Sequence, residues 1–290
     1  MTFSVPVTGS VPPPIGLVIV GDEILSGKRQ DKHLPKIIEL LGERGLPLAW
    51  AEYVGDDPAR ITATLQRAFA SGDTVFSTGG IGATPDDHTR QCAAKALGCE
   101  LALHIEAEAL IRARMQDVAK EQGTVYEPNH PDNIHRLNMG FFPKRARIIP
   151  NPYNKIPGFS CLGTAAHPEL GARHAGSLHF VPGFPVMAWP MVAWVLDTLY
   201  PHWHQKSAYC EKSVIVMGAM EAALTPLMVD IESRHAAIKV FSLPSVDHPQ
   251  YGRHIELGVK GSPAAVDLAY PDLLAGLHKF GAKLGAELVR

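Results

Sequence analysis

The sequence predicts an α/β protein with a mostly parallel sheet, followed by a small α+β subdomain. Three observations carry this. Strand and helix signals alternate through the first half, which is the pattern of βαβ units. The rhythm changes after about residue 206, where strands and helices no longer alternate one for one. The 290 residues suit about two domains.

Ile15–Val20 is an apolar run suited to a strand buried on both faces. Asp31 is placed to cap a helix with the stripe Leu34, Ile37, Ile38 and Leu41, with Pro35 harmless in its first turn. Gly42 and Gly45 end that helix. Leu48–Val54 alternates as a second strand, and Asp56 or Asp57 before Pro58 starts a helix carrying Ile61, Leu65, Ala68 and Phe69. Thr74–Thr78 is a third strand. A helix is expected from Pro85 to about Leu97, stopped by Gly98, and another over Glu106–Gln122. Asn129 to Gly183 is rich in Pro, His, Gly and Asn, with short strands at Arg147–Ile149 and His179–Val181. Trp189–Tyr200 reads as helix and Pro201–Lys206 as a linker. Ser213–Met217, Ile238–Ser242 and Arg253–Val259 read as strands, Glu221–Arg234 and Pro263–Gly285 as helices. The expected divisions are a lead-in over 1–14, a first domain over 15–205 and a second over 206–290.

Composition excludes several classes. Lys and Arg total 27 against 29 Asp and Glu, a formal charge of -2, so no broad positive field exists for nucleic acid or an anionic membrane. Cys92, Cys99, Cys161 and Cys210 form no C-x-x-C pair, so reduced thiols in a cytoplasmic protein are expected rather than a zinc ribbon or a disulfide framework. The first residues, MTFSVPVTGSVPPP, lack the basic and apolar regions of a signal peptide. Phe180 to Leu196 is uncharged but holds three prolines, unlike a membrane span of about 20 continuous apolar residues.

The strongest local feature is Ser77-Thr78-Gly79-Gly80-Ile81-Gly82-Ala83-Thr84-Pro85-Asp86-Asp87-His88-Thr89. Three glycines within four positions, between a strand and a helix start, let backbone amides converge on an anion. The plain alternative is a tight turn with no ligand. Neither a dinucleotide fingerprint nor a P-loop fits, since position 85 is Pro and no G-K-[ST] follows. Asp86 and Asp87 would repel phosphate unless a cation intervenes, and Mg²⁺ takes one or two carboxylates plus phosphate oxygens. Helix capping explains the pair equally well. The loop Gly21-Asp22-Glu23-Ile24-Leu25-Ser26-Gly27 ends the first strand. If strands one and three are neighbours, both loops open on one rim and their carboxylates face the glycines.

These residues resemble the CinA branch of the molybdopterin-binding (MogA/MoaB/MoeA-like) superfamily. The resemblance rests on Gly21 to Gly27, on Val54-Gly55-Asp56-Asp57-Pro58, and on Thr78 to Arg90. It extends more weakly to Asn151-Pro152 with Pro157-Gly158-Phe159, to Val181-Pro182-Gly183-Phe184-Pro185, and to Gly218-x-x-Glu221 at the start of a KH-like subdomain. It implies a three-layer α/β/α domain with a pterin or nucleotide-phosphate pocket at the glycine loop. Asp22 and Asp87 match two aspartates that contribute to metal-assisted chemistry on molybdopterin. CinA-type domains are linked to hydrolysis of the ADP-ribose pyrophosphate bond. Relatives commonly assemble as dimers or trimers. The deamidase domain that often follows is expected to be absent, since the sequence ends at Arg290. The sequence departs from the family at Ala83, Gln91, Asn154-Lys155-Ile156, and Val186-Met187. The changes at Gln91 and the Val186-Met187 tail remove negative charge, which could remove catalysis and leave binding.

The resulting expectations are specific. Gly79, Gly80 and Gly82 donate amides to a phosphate, with Gly21, Thr84 and Thr89 completing the ligand site. Asp22, Asp86 and Asp87 hold Mg²⁺ or another divalent cation, and Asp22 and Asp87 are catalytic if the protein is an enzyme. The ligand is a small phosphate ester, a molybdopterin or a nucleotide. The alternatives are an ADP-ribose pyrophosphatase and a non-catalytic sensor. His167, His174 and His179, like His202 and His204, fit no metal spacing and read as solvated. Gly258-Val259-Lys260-Gly261 matches an RNA-binding GxxG by letters, but follows a strand.

Overall fold

The structure is a computed structural model that describes residues 12–163, 175–204 and 210–290. Contacts divide the chain into two units, Met1–His204 and Gln205–Arg290. Most of the expected lead-in, His167, His174 and the end of the expected linker lie outside the described residues.

In the first unit, β1 (Ile15–Val20) is buried at every residue, followed by the short helix α1 (Asp22–Leu25) and then α2 (His33–Gly42). The Asp31 carboxylate accepts from the His33 and Leu34 amides at 2.8 and 3.1 Å, so it caps α2 as expected. Leu40 rather than Ile38 completes the buried stripe, and Ile38 is exposed. β2 (Trp50–Val54) leads to α3 (Pro58–Ser71), where Asp57 accepts from the Arg60 amide at 2.7 Å with Pro58 in the first turn. Ile61, Leu65, Ala68 and Phe69 are all buried. β3 (Thr74–Thr78) has the expected bounds. α4 (Thr89–Ala96) starts later than the sequence suggests, because the Asp87 amide closes a turn on the Thr84 carbonyl and residues 85–88 stay out of the helix.

The unit continues with β4 (Leu101–Leu103), α5 (Ile105–Glu121), α6 (Pro131–Arg136), β5 (Phe141–Pro143), β6 (Arg147–Ile149), β7 (Gly158–Leu162), β8 (Ser177–Val181) and α7 (Pro185–Leu199). The main sheet has the order β2-β1-β3-β8-β7-β6. β2, β1, β3 and β8 run parallel, and β7 and β6 are added antiparallel. Alternation along β1 explains the layers. Val18 and Val20 join a core with Ile61, Leu65, Phe69 and Cys92, while Ile15, Leu17 and Ile19 join one with Ile37, Leu41, Met191 and Val195. Helices α3 and α4 therefore cover one face, α2 and α7 the other, giving three layers.

Two expectations are corrected here. Pro201–Trp203 is a 3₁₀ turn, not linker: Trp203 is buried and stacks on Tyr200 with ring centres 4.0 Å apart. His179 is not solvated; it is fully buried, 2.8 Å from the Ser160 hydroxyl and 2.7 Å from that of Tyr200.

The second unit holds β9 (Cys210–Met217), α8 (Glu221–Arg234), β10 (Ile238–His248), β11 (Gly252–Gly261), α9 (Pro263–Phe280) and β12 (Lys283–Val289). Its antiparallel sheet has the order β10-β11-β9-β12 and shares an apolar core with α8 and α9. The last helix is shorter than expected. It ends at Gly281 in left-handed backbone, and the chain turns back as β12 against β9. Gly258 to Gly261 lies inside β11, where a Cβ on Gly258 would meet Phe241 at 2.5 Å and Ser213 at 2.6 Å. Close strand packing accounts for Gly258.

Among the described residues no helix is long and apolar enough to cross a membrane.

Candidate functional site

The parallel order places the ends of β1 and β3 side by side, with Ile19 opposite Thr78. The glycine loop then passes directly over the end of β1: a Cβ on Gly79 would lie 2.2 Å from the Val20 carbonyl oxygen. Gly79 also has φ +95°, so the position demands glycine twice over. The two loops expected on one rim are there, and they line a cavity of about 610 Å³ in the size range of small-molecule sites.

What orients the loop is the start of α4. The Thr89 hydroxyl donates to the Gly79 carbonyl at 3.0 Å, the Thr89 amide to the Gly80 carbonyl at 2.9 Å, and Arg90 to the Gly82 carbonyl at 2.6 Å. In a planar trans peptide the carbonyl and the next N–H point in opposite directions. Pinning those three carbonyls toward α4 therefore turns the Gly80, Ile81 and Ala83 amides the other way, to the side occupied by the cavity. Gly80, Ile81, Gly82 and Ala83 all line that cavity, and Thr89 and Arg90 do not. None of these four amides has an acceptor among the described residues. The Ile81 side chain is buried in the core and anchors the loop from below.

Several expected ligand residues take other roles. The Gly79 amide donates to the Val181 carbonyl at 3.1 Å, and the Gly21 amide to the Val54 carbonyl at 3.0 Å, so neither is free for a phosphate. Thr89 is fully buried and braces the loop from behind. Thr84 lines the cavity, but its amide and hydroxyl both donate to Asp87.

The acidic residues divide between two depressions: Glu23, Asp56, Asp86 and Asp87 line the cavity, while Asp22 joins Glu23, Asp56 and Asp86 in a neighbouring one that Asp87 does not line. Asp22 and Asp56 form a reciprocal pair: the Asp22 amide donates to the Asp56 carboxylate at 2.8 Å, the Asp56 amide to the Asp22 carboxylate at 3.1 Å. That holds Asp22 against Gly55 and outside the cavity lining. Asp87 lies against Gly82, closes the turn with Thr84, and caps no helix. Asp86 is exposed at the mouth. Among the described residues no group of three or more Asp, Glu, His or Cys side chains is placed to hold a metal ion. Asp22, Asp86 and Asp87 do not converge as the expected three-carboxylate cage, since Asp22 and Asp87 line different depressions. The residues do fit a looser demand, since Mg²⁺ takes one or two carboxylates with phosphate oxygens, and Asp56 and Asp86 both face the cavity. Burial raises the Asp56 carboxyl above its usual range, aided by the charges of Asp22, Glu23 and Asp86 and opposed by the Asp22 amide.

The remaining walls were not singled out as site residues from the sequence. Arg29 and Glu23 also line the cavity, with the Glu23 carboxylate close to Gly21. Asn151 is buried and organises the turn beyond β6: it donates to Asn154 and to the Ile156 carbonyl, and accepts from the Tyr153 amide. This network holds Lys155 at φ 65°, a left-handed conformation uncommon for a residue with a side chain. Met139, Ile156, Pro157, Phe184 and Met187 make the apolar side. Phe184 stays 56 % exposed and follows Gly183, whose carbonyl accepts from His33 Nε2 at 3.0 Å. Of the departures noted in the sequence, Gln91 does not line the cavity, whereas Ala83, Asn154, Ile156 and Met187 do.

Comparison with known proteins agrees with this architecture. The family described as "Probable molybdopterin binding domain" matches residues 16–202. A CinA-like protein of Syntrophotalea carbinolica is 31% identical over 193 residues, covering 67% of this chain and 41% of that protein. A CinA-like protein of Mycobacterium tuberculosis is 28% identical over 258 residues, covering 87% of this chain and 56% of that protein. The chain thus spans about half the length of these two relatives. Among solved structures, the protein CinA of unknown function from Thermoplasma acidophilum shares the fold with TM-score 0.51 at 24% identity, over 64% of this chain and 98% of that one.

Proposed function

The chain belongs to the family of molybdopterin-binding domains and is similar to its CinA-like members, and on that premise we propose that it binds a phosphate-bearing heterocycle, a pterin or a nucleotide, in the rim cavity. One feature carries the reading: the carbonyls of Gly79, Gly80 and Gly82 are pinned by Thr89 and Arg90, and the amides that follow them, in the cavity-lining residues Gly80, Ile81 and Ala83, have no acceptor among the described residues. Amides arranged in this way suit an oxyanion, and Arg29 in the lining adds a charge of the right sign. The apolar wall with Phe184 supplies a surface for a flat ring.

The carboxylates set a condition on the ligand. Glu23, Asp56, Asp86 and Asp87 line the same cavity and repel a bare phosphate. Asp56 and Asp86 would hold a divalent cation beside the ligand, and its charge would offset that repulsion. We read the site as one that binds without turnover, since Asp22 does not line the cavity beside Asp87.

Calorimetry with a phosphorylated pterin and with ADP-ribose, each with Mg²⁺ and with a chelator, tests this. Saturable binding that weakens on chelation, without product, is expected. Phosphate released from ADP-ribose through a coupled phosphatase, under Mg²⁺ or Co²⁺, would instead establish the pyrophosphatase.

A further inference from the structure

Arg90 is a charged residue in an unusual place. It is 3% exposed, at the second position of α4, directly behind the glycine loop. Its guanidinium donates to the Gly82 carbonyl at 2.6 Å and to the Asn138 carbonyl, and its Nε has no acceptor among the described residues. No carboxylate pairs with it at ion-pair distance among those residues, and Asp87 is the acidic neighbour whose charge it feels. A buried cation held by two carbonyl dipoles is only partly compensated, and burial pulls its pKa down from the ordinary arginine value.

We propose that Arg90 is a positioning residue that makes the glycine loop selective for phosphate. This rests on the phosphate-binding reading above and assigns the source of its charge preference. Two effects combine. By holding the Gly82 carbonyl, the guanidinium fixes the direction of the Ala83 amide. By sitting behind the loop within a poorly solvated interior, it places a positive charge where a phosphate on the other side completes the balance. An anion on the loop relieves the unpaired cation, so the free protein is poised for one.

The test uses inorganic pyrophosphate with Mg²⁺ as probe and the full chain as wild type, Arg90→Lys and Arg90→Gln, by calorimetry. Arg90→Gln is expected to bind at least tenfold more weakly, and Arg90→Lys, which keeps the charge, to recover most of that loss. In the wild type, the Arg90 Nε–H NMR resonance is expected to move as pyrophosphate is added, a readout that needs no variant to fold. Wild-type binding with a stationary Arg90 resonance, equal losses in the two variants, or an Arg90→Gln affinity within threefold of wild type overturns the Arg90 assignment alone. No wild-type affinity for pyrophosphate overturns the phosphate reading, and this assignment with it.

Discussion

Replacing Gly79 by alanine adds one carbon at the point where the glycine loop crosses the end of β1. The new Cβ would lie 2.2 Å from the Val20 carbonyl oxygen, a backbone atom that cannot rotate aside. The φ of +95° adds strain of about 1–2 kcal/mol for an L-residue. Relief of the clash requires the loop to lift by about an ångström, which breaks the bond from the Gly79 amide to Val181, worth about 1 kcal/mol. The sum is about 3 kcal/mol, or a fall of about 6–12 °C in the melting temperature of a unit this size. Gly27 is the matched control. Its φ is +72° but a Cβ there meets nothing within 4 Å, so Gly27→Ala is expected to cost about 1 kcal/mol of strain alone. Chemical denaturation of both variants beside wild type measures the difference. Equal costs would refute the argument that the loop is pressed onto β1.

Other consequences follow from the same geometry. Burial pushes His179 down to about 3, against about 6.5 in an unfolded chain. The unfolded state therefore takes up a proton first, and stability falls as pH drops from about 6.5 toward 3, by up to about 1.4 kcal/mol per unit. The difference in urea midpoint between pH 7 and pH 4.5 is expected to shrink in His179→Gln; an unchanged difference would remove His179 as the cause. Phe184→Ala is expected to leave the melting temperature unchanged, because the ring is exposed, and to weaken a heterocyclic ligand about tenfold by loss of stacking, as read by calorimetry; unchanged affinity would take the ring out of the site. Asn151→Ala removes the bonds that hold the 151–156 turn and is expected to destabilise by about 2 kcal/mol in denaturant, with weaker ligand binding. Trp203→Ala is expected to destabilise the first unit by about 3 kcal/mol, since its ring is buried on Tyr200; a neutral result would return Trp203 to a linker.

How far the sequence alone reached depends on which forces were local. Asp57-Pro58 and the apolar run Ile15–Val20 are readable because a cap and a doubly buried strand are set by neighbouring residues. The segment Lys283–Val289 is rich in helix-forming Lys, Leu, Ala and Glu, and pairing with β9 overrides that preference. The start of α4 falls later than the letters suggest because Asp87 bonds back to Thr84 and keeps residues 85–88 out of the helix. At the site, the glycine loop and its rim were legible from spacing. The direction of each peptide was not, because it depends on which distant group takes each carbonyl. The letters place Thr89 at the ligand for that reason, though its hydroxyl donates to the Gly79 carbonyl. Nothing in the letters shows that the Arg90 guanidinium is buried behind Gly82.

In the proposed function the main-chain amides of Gly80, Ile81 and Ala83 grip an oxyanion. Amide NMR on the labelled protein, titrated with ADP-ribose or a phosphorylated pterin in the presence of Mg²⁺, addresses it directly. The account predicts saturable shifts concentrated at Gly80, Ile81, Gly82 and Ala83, with Gly79 moving less because its amide is already bonded to Val181. Binding that shifts other amides and leaves these four in place would contradict it.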